Sequence, residues 1–375
     1  MSDPVIYIPE LEHTLENEAQ IAADLREAML SISRKTDADG FHGLRSVHAK
    51  SHAFLTGELE VDANLPPYLA QGLFGHVKTY PVIMRFSTTP GDILPDSVST
   101  PRGLAIKVIG VQGARLPGTE NDVTQDFVMI NGPVFQTSNA KSFLNSLKLL
   151  AATTDKAEGA KVALSAVMRG TEKVIETFGG QNAMIKGMGG EPASHPLGET
   201  YYTAVPLLYG RYIAKLQVVP VSEELTMLTD HHIDVGHGQT PIRDAMIDHF
   251  SLYGGQWDVR VQLCTDMETM PIEDAAKVWP EDESPYVTVA RLRVEPQVAW
   301  SEERSQVIDA MSFSPWHGLA AHRPLGSIMR LRKSAYEASA RFRSEHTGKV
   351  IIEPSTLEGL FEAEMQAEAA EVYYP

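Results

Sequence analysis

Cysteine is nearly absent from the chain, which has a single Cys264 among 375 residues. One thiol cannot form an internal disulfide, and it cannot supply the paired thiolates of zinc ribbons or iron–sulfur clusters. A chain with so little cysteine is typical of a reducing compartment. We therefore expect a cytoplasmic protein that does not depend on disulfides.

Long hydrophobic runs and an excess of basic residues are also missing. No stretch approaches the roughly eighteen consecutive apolar residues of a spanning helix, and the start, MSDPVIYIPELEH, lacks the basic and apolar regions of a secretory signal. Lys and Arg number 32 against 49 Asp and Glu, for a net charge of -17. This sign disfavours a nucleic acid or an anionic membrane as partner.

The apolar pattern predicts strands in the first two thirds of the chain, after one amphipathic helix from Leu15 to Arg34. Short apolar runs separated by Pro, Gly and Asp occupy residues 45–108. Further strands are predicted at Asp126–Phe135, Arg211–Val221, Trp257–Cys264 and Tyr286–Val294. Several strands without crossover helices favour a barrel or a sandwich.

Helices are predicted between the strands and after them, at Asn139–Arg169, Pro241–Tyr253, Glu302–Met311 and Leu325–Glu345. Glycines at 179, 180, 187, 189 and 190 indicate a long loop. The fold class is therefore α+β. We divide the chain into an N-terminal helical segment (1–40), a β-barrel region with helical insertions (41–295) and a C-terminal helical segment (296–375).

Two strand segments carry candidate functional residues. RSVHAKSH at 45–52 is read as a strand that places His48, Lys50 and His52 on one face. Alone, a histidine in a strand is more often structural than catalytic. In MRFST, Arg85 stands between apolar residues, and a buried guanidinium needs an anion, either a nearby carboxylate or an acidic group on a cofactor.

A late helical segment is more informative. Arg332, Tyr336 and Arg343 stand at i, i+4 and i+11 and therefore share one helix face. A guanidinium beside a phenol favours the phenolate, which is a known axial ligand of haem iron. Taken alone, the same spacing also fits a surface Arg–Tyr stack.

Together these segments resemble the haem catalases and their shorter catalase-related relatives. The resemblance covers most of the chain, in family order: RSVHAK, MRFST, TPRGLAIK, DFVMINGPVF, KVWP, IDAMSFSPWHGL and RKSAY. It implies an antiparallel eight-stranded β-barrel with surrounding and C-terminal helices, and a haem b buried between the barrel and the helix that carries Tyr336.

The resemblance also implies site residues. His48 would be the distal histidine that moves a proton between the peroxide oxygens, and Asn131 the distal amide that orients the peroxide. Tyr336 would be the axial iron ligand, kept ionised by Arg332. The remaining cofactor-binding positions would be propionate ligands Arg45, Arg85 and Arg343, wall residues Val47, Phe86, Ser87 and Phe135, and a stacked Phe143.

The implied function is a haem peroxidase, an oxidoreductase that cleaves hydrogen peroxide or organic hydroperoxides with an unknown small-molecule electron donor. Thr89 and Thr100 replace the family's Val and Asp of the peroxide channel, which argues against fast hydrogen peroxide turnover. Ile130 replaces one of two adjacent asparagines. A fatty-acid hydroperoxide isomerase of the allene oxide synthase type is the main alternative, although Val47 stands where those relatives carry Thr.

Four further expectations complete the interpretation. A haem protein without turnover is a third possibility, disfavoured by the distal histidine and amide. No nucleotide-binding pattern is found near YYTAVPLLYGRYIAKL, so bound NADPH is not expected. The chain should form a dimer or tetramer. The segment HHIDVGH at 231–237 contains possible metal ligands, but its spacing fits no established motif and favours a solvated loop.

Overall fold

The computed structural model describes residues 3–38, 44–89, 91–98, 100–153 and 192–360. The strands are β1 Lys50–Val61, β2 Thr79–Thr88, β3 Arg102–Ile109, β4 Thr124–Ile130, β5 Tyr201–Tyr202, β6 Leu207–Tyr209, β7 Tyr212–Pro220, β8 Gly255–Leu263 and β9 Val287–Val294. Eight of them form an antiparallel barrel in the order β5-β4-β3-β2-β1-β9-β8-β7, which closes where β5 pairs with β7. The short strand β6 pairs with β7 beside the barrel. The barrel expectation is confirmed.

Helices surround the barrel. Those in the described ranges are α1 Glu18–Ala38, α2 Ala140–Thr153, α3 Glu223–Thr226, α4 Pro241–Leu252, α5 Glu302–Asp309 and α6 Ser327–Thr347, with short 3-10 turns at Pro9–Leu11, Gly72–Gly75, Pro196–Gly198 and Ala320–His322. Residues 154–169 of the predicted second helix, and the predicted glycine loop, lie outside the described residues. Among the helices that are described, none combines the length and apolar character needed to cross a membrane.

Two apolar layers hold the architecture together. The barrel interior is filled by large side chains such as Phe127, Leu216 and Trp257. A second cluster outside the barrel joins α1, α2 and α6 through Leu25, Ile32, Leu144, Leu331 and Ala335. Burying each of the larger side chains of this cluster stabilises the fold by roughly 1.5–3 kcal/mol, so α6 is held firmly against α1 and α2.

The outer face of β2, β3 and β4 positions the site. Residues directly opposed across antiparallel strands project to the same face. Three rows lie on this outer face: Ser87, Gly103 and Ile130; Arg85, Ala105 and Val128; Ile83, Lys107 and Asp126. The alternate residues Phe86, Leu104 and Met129 belong to the barrel interior.

Candidate active site

A cavity lies between the outer face of the barrel and α6. Tyr336 and Arg343 line it from α6, whereas His48 lines it from the loop before β1. Its other walls come from Met29, Arg45, Ser46, Val47, Arg85, Ser87, Gly103, Leu104, Ala105, Val128, Met129, Ser312, Phe313, Ser339 and Ala340.

His48 is not in a strand, contrary to the sequence interpretation. β1 begins only at Lys50, and His48 adopts a positive φ of 53°, which is uncommon for a residue other than glycine. The bend turns the imidazole toward β2, where Nδ1 lies 3.2 Å from the Ser87 Oγ. Burial, followed by the charges of Arg85 and Arg332, lowers the pKa of His48 to about 3. The imidazole is therefore neutral near pH 7.

Gly103 makes the space for this imidazole. A Cβ at Gly103 would lie 2.6 Å from the His48 Nδ1 and 2.7 Å from its Cε1, closer than non-bonded atoms pack. Ala105, the next outward position on β3, also lines the cavity. Neither residue is among the predicted site residues. Their two-residue spacing within RGLAIK nevertheless indicates that both lie on one face of a strand.

Tyr336 and Arg332 stand one helical turn apart on α6 and interact as the sequence predicts. The Arg332 Nη2 donates to the Tyr336 Oη at 2.6 Å, and the guanidinium lies 5.2 Å from the centre of the phenol ring. The contact places a charged donor directly on the phenol oxygen.

The three arginines predicted to bind propionates do come together at the cavity. Arg45 pairs with Asp309 at 2.7 Å and also donates to the Ile308 and Met311 carbonyls. The Arg85 Nη2 donates to the His48 carbonyl at 2.6 Å, and its Nε donates to the Ser51 Oγ. The Arg343 Nη2 donates to the Met311 carbonyl at 3.1 Å.

The local charge is strongly positive. Burial, followed by the neighbouring Arg45 charge, lowers the pKa of Arg343 to about 9 and also lowers the pKa of Arg85. Asp309 is the carboxylate that opposes this effect at both residues. Within the described residues the buried Arg343 Nε has no hydrogen-bond partner. Such an arrangement fits an anionic ligand.

Of the predicted wall residues, Val47 and Ser87 line the cavity, but the phenylalanines do not. Phe86 points into the barrel, where its ring meets Tyr201 edge to face. Phe135 follows β4 and packs against Phe143 of α2, with ring centres 5.1 Å apart. Phe135 also lies under the Arg332 guanidinium, so this pair packs behind Arg332.

Asn131 differs most from its predicted role. Its Oδ1 accepts from the Arg102 backbone N at 2.9 Å, and its Nδ2 donates to the Glu199 Oε2 at 2.6 Å. Glu199 in turn accepts from Ser194 and lies near the Arg102 guanidinium. Asn131 is not among the described residues that line the cavity. Strand alternation explains this, since Asn131 follows the outward-facing Ile130.

The other polar residues of the sequence interpretation lie elsewhere. Lys50 pairs with Asp96 at 2.6 Å, and the His52 Nε2 lies 3.0 Å from the Thr88 Oγ1. In the 231–237 segment, His237 is exposed and 3.9 Å from Asp234. No cluster of three His, Cys, Asp or Glu side chains suited to a metal ion occurs among the described residues.

Comparison with known proteins shows similarity in structure. No family model and no curated protein matches the sequence. A fungal catalase matches with 18% identity and a TM-score of 0.56, over 87% of this chain and 67% of that one. Catalase A from Saccharomyces cerevisiae matches with 18% identity and a TM-score of 0.53, over 88% and 71%.

A bacterial catalase matches with 15% identity and a TM-score of 0.56, over 94% of this chain and 66% of that one. The chain thus spans about two thirds of the length of these catalases. They share with it the closed barrel on which the cavity is built. The chain therefore has the catalase fold.

Proposed function

We propose that the chain is a haem-dependent peroxidase that cleaves the oxygen–oxygen bond of a peroxide. The observation that carries the proposal is that His48 and Tyr336, contributed by segments almost 300 residues apart in sequence, line one cavity. Its polar surface includes a neutral imidazole, a phenol that accepts from a guanidinium, and three arginines.

The residues present fit a haem b. Tyr336 would bind the iron through its phenol oxygen, to which the Arg332 guanidinium donates. Arg45, Arg85 and Arg343 would bind the propionates, and the unpartnered Arg343 Nε is a donor available to them. Gly103, Ala105 and Ala340 present little side-chain bulk on the two walls, which suits a flat ring. The bound haem would supply the redox centre for oxygen–oxygen cleavage.

His48 would move the proton. In the tautomer whose Nδ1–H donates to the Ser87 Oγ, the Nε2 carries the lone pair that accepts the hydroperoxide proton. Its pKa of about 3 keeps this nitrogen free of a proton at neutral pH. The same nitrogen then returns the proton to the departing oxygen, which leaves as an alcohol or water.

The full turnover balances with a phenolic donor. One hydroperoxide and two phenols give one alcohol, one water and two phenoxyl radicals. Each phenol loses one electron and one proton. The two electrons break the oxygen–oxygen bond, and the two protons complete the water.

Haem reconstitution followed by peroxide consumption tests the proposal. We expect stoichiometric haem uptake, turnover well above that of free haem, and loss of turnover without loss of haem in His48→Leu. With a fatty-acid hydroperoxide, the product should be the hydroxy acid. A protein that takes up no haem contradicts the proposal, and an epoxide product would instead favour the isomerase alternative.

A further inference from the structure

The segment that follows α6, residues 348–360, lies along the outside of the cavity wall, and we call it the strap. The described residues of the strap form no helix and no strand. Its backbone meets the wall at a bridge, where Ile352 pairs with Met311 and the Ile352 N donates to the Ala310 carbonyl at 2.7 Å. A segment with so few backbone hydrogen bonds opens locally at low free-energy cost unless its side chains hold it.

A side chain of the strap reaches a buried charge. The Glu353 carboxylate accepts from the Lys107 ammonium of β3 and from the Thr124 hydroxyl of β4, the latter at 2.8 Å. Lys107 is fully buried and also pairs with Asp126 at 2.7 Å, so one ammonium joins the strap to β3 and β4. Charge-assisted hydrogen bonds of this kind are about twice as strong as neutral ones. Glu353 therefore fastens the strap to the barrel.

The strap covers a wall segment, residues 308–313. Leu357 and Leu360 of the strap pack against an apolar cluster that includes Met311 and Phe313. Phe313 in turn lines the cavity. The strap therefore supports from outside a segment whose inner side faces the cavity.

The wall segment also holds two arginines of the cavity. The Met311 carbonyl accepts from Arg45 and from Arg343, at 3.1 Å in each case. Met311 is the residue with which Ile352 of the strap pairs. A displacement of the strap therefore acts on both guanidiniums through one backbone unit.

The wall segment is the part of the cavity best placed to open. β2, β3 and β4 belong to the closed barrel, and α6 is packed against α1 and α2. Residues 312–313, in contrast, have no regular secondary structure, and the irregular loop before β1 is tied to the wall segment by Arg45. Segments that rest on a few side-chain contacts are the ones that commonly act as lids over buried sites.

We propose that the strap is a latch that closes the cavity, with Glu353 as its positioning residue. While Glu353 is bound to Lys107, the strap holds the wall segment, and through it Arg45 and Arg343, in the closed arrangement. Release of the strap opens the wall, so that a buried ligand can enter or leave. The latch is a property of the apoprotein, and only the identity of the ligand rests on the haem proposed above.

Hydrogen exchange of the apoprotein, followed by mass spectrometry, tests the latch. In Glu353→Ala, exchange should be at least about tenfold faster in peptides from the strap and from residues 308–317, because a charge-assisted bond is lost. Peptides from β7 and β8, which line neither the strap nor the cavity, should exchange at unchanged rates and so exclude general unfolding. Glu358→Ala is the matched control, since Glu358 is exposed on the same strap.

A second variant approaches the latch from its apolar side. Leu357→Ala, which leaves the buried ions intact, should accelerate exchange in the same two sets of peptides and replaces Glu353→Ala if that variant misfolds. Faster exchange confined to the strap would overturn the proposal, because the strap would then be a tail without influence on the wall. Unchanged exchange in both sets for folded Glu353→Ala would overturn the role of Glu353.

Haem transfer to an excess of acceptor protein tests the ligand. Haem should leave Glu353→Ala at least about tenfold faster than it leaves the unaltered protein or Glu358→Ala. The Soret band of the bound haem should stay in place, because Tyr336 and Arg332 are untouched. Equal transfer rates together with faster exchange in residues 308–317 would overturn the gating of haem. A protein that takes up no haem contradicts the proposed function, and the exchange experiment then decides the latch by itself.

Discussion

The Arg332 guanidinium donates to the Tyr336 hydroxyl at 2.6 Å across one turn of α6. The same guanidinium lies over the ring of Phe135 and contacts the Met329 sulfur, so its position is set from three sides. The helix itself therefore fixes a charged donor beside the phenol oxygen.

The first prediction concerns this pair. Arg332→Met should leave haem uptake largely intact but shift the Soret and charge-transfer bands, because the Tyr336 oxygen that we propose as iron ligand loses its charged donor. Peroxide turnover should fall by about tenfold or more, the equivalent of one charged hydrogen bond at roughly 1.5–3 kcal/mol. Lys333→Met is the matched control, since Lys333 is adjacent but contacts Glu337, at 3.8 Å, and the Trp316 ring rather than Tyr336. Identical spectra for Arg332→Met and the unaltered protein would refute the assignment.

The second prediction compares two arginines of α6. Arg343 is 3% exposed at the cavity, whereas Arg341 is exposed on the outside of the same helix. Arg343→Met should weaken haem binding by at least about tenfold, or roughly 1.4 kcal/mol, because a propionate loses a buried cation. Arg341→Met should not. Rates of haem transfer to an excess of acceptor protein measure the difference, and equal rates for both variants would contradict propionate binding at Arg343.

A third prediction uses the space beside His48. Gly103→Ala forces the imidazole to move, because the added methyl would lie 2.6 Å from its Nδ1. Haem uptake should persist while peroxide turnover falls by at least about tenfold, since general acid–base catalysis depends on position. Gly132→Ala is the control, because its nearest neighbour, the Val134 carbonyl oxygen, would be 3.8 Å away. Full activity in Gly103→Ala would show that the imidazole position does not matter.

Sequence reasoning identified the barrel and most of the polar site because both leave local signals. Strands show alternation, and the spacing of Arg332, Tyr336 and Arg343 places them on one helix face whatever the tertiary structure. The roles of Arg45 and Arg85 could be predicted only from the resemblance of several separated segments to a known family, since no local pattern predicts that distant guanidiniums meet. Arg45 lies in the loop before β1 and Arg85 in β2, so their meeting with Arg343 depends on how that loop and α6 lie against the barrel.

The errors have equally physical causes. The two-residue side-chain period of RSVHAKSH predicts a strand that includes His48. The positive φ of His48 interrupts the extended backbone, and β1 begins only at Lys50. The resemblance implies Asn131 as the distal amide because no other amide is available there, but pairing with Gly103 fixes Ile130 outward and the Asn131 side chain contacts Glu199. A shift of one residue in a strand reverses the face, and composition alone does not reveal the register.

The last prediction concerns stability rather than chemistry. His322 is fully enclosed among Phe74, Phe127 and Tyr209, and its Nε2 accepts from the Leu73 backbone N at 2.9 Å. Burial lowers the pKa of His322 to about 4, below its ordinary value of 6.5. Between these two values the unfolded chain binds a proton that the folded protein does not bind. The free energy of unfolding therefore decreases as pH falls from about 6.5 to 4, by roughly 1.4 kcal/mol per pH unit for this residue.

Urea unfolding of the apoprotein at pH 7.5, 6.5 and 5.5 measures this effect. His322→Gln should lower the free energy of unfolding at pH 7.5, because the Leu73 amide loses a well-placed acceptor. On acidification the variant should lose less stability than the unaltered protein, because one proton fewer binds on unfolding. His237→Gln is the control, since the His237 side chain is 91% exposed and its removal should leave the slope unchanged. Equal slopes for both variants would mean that His322 titrates normally, which its apolar enclosure does not permit.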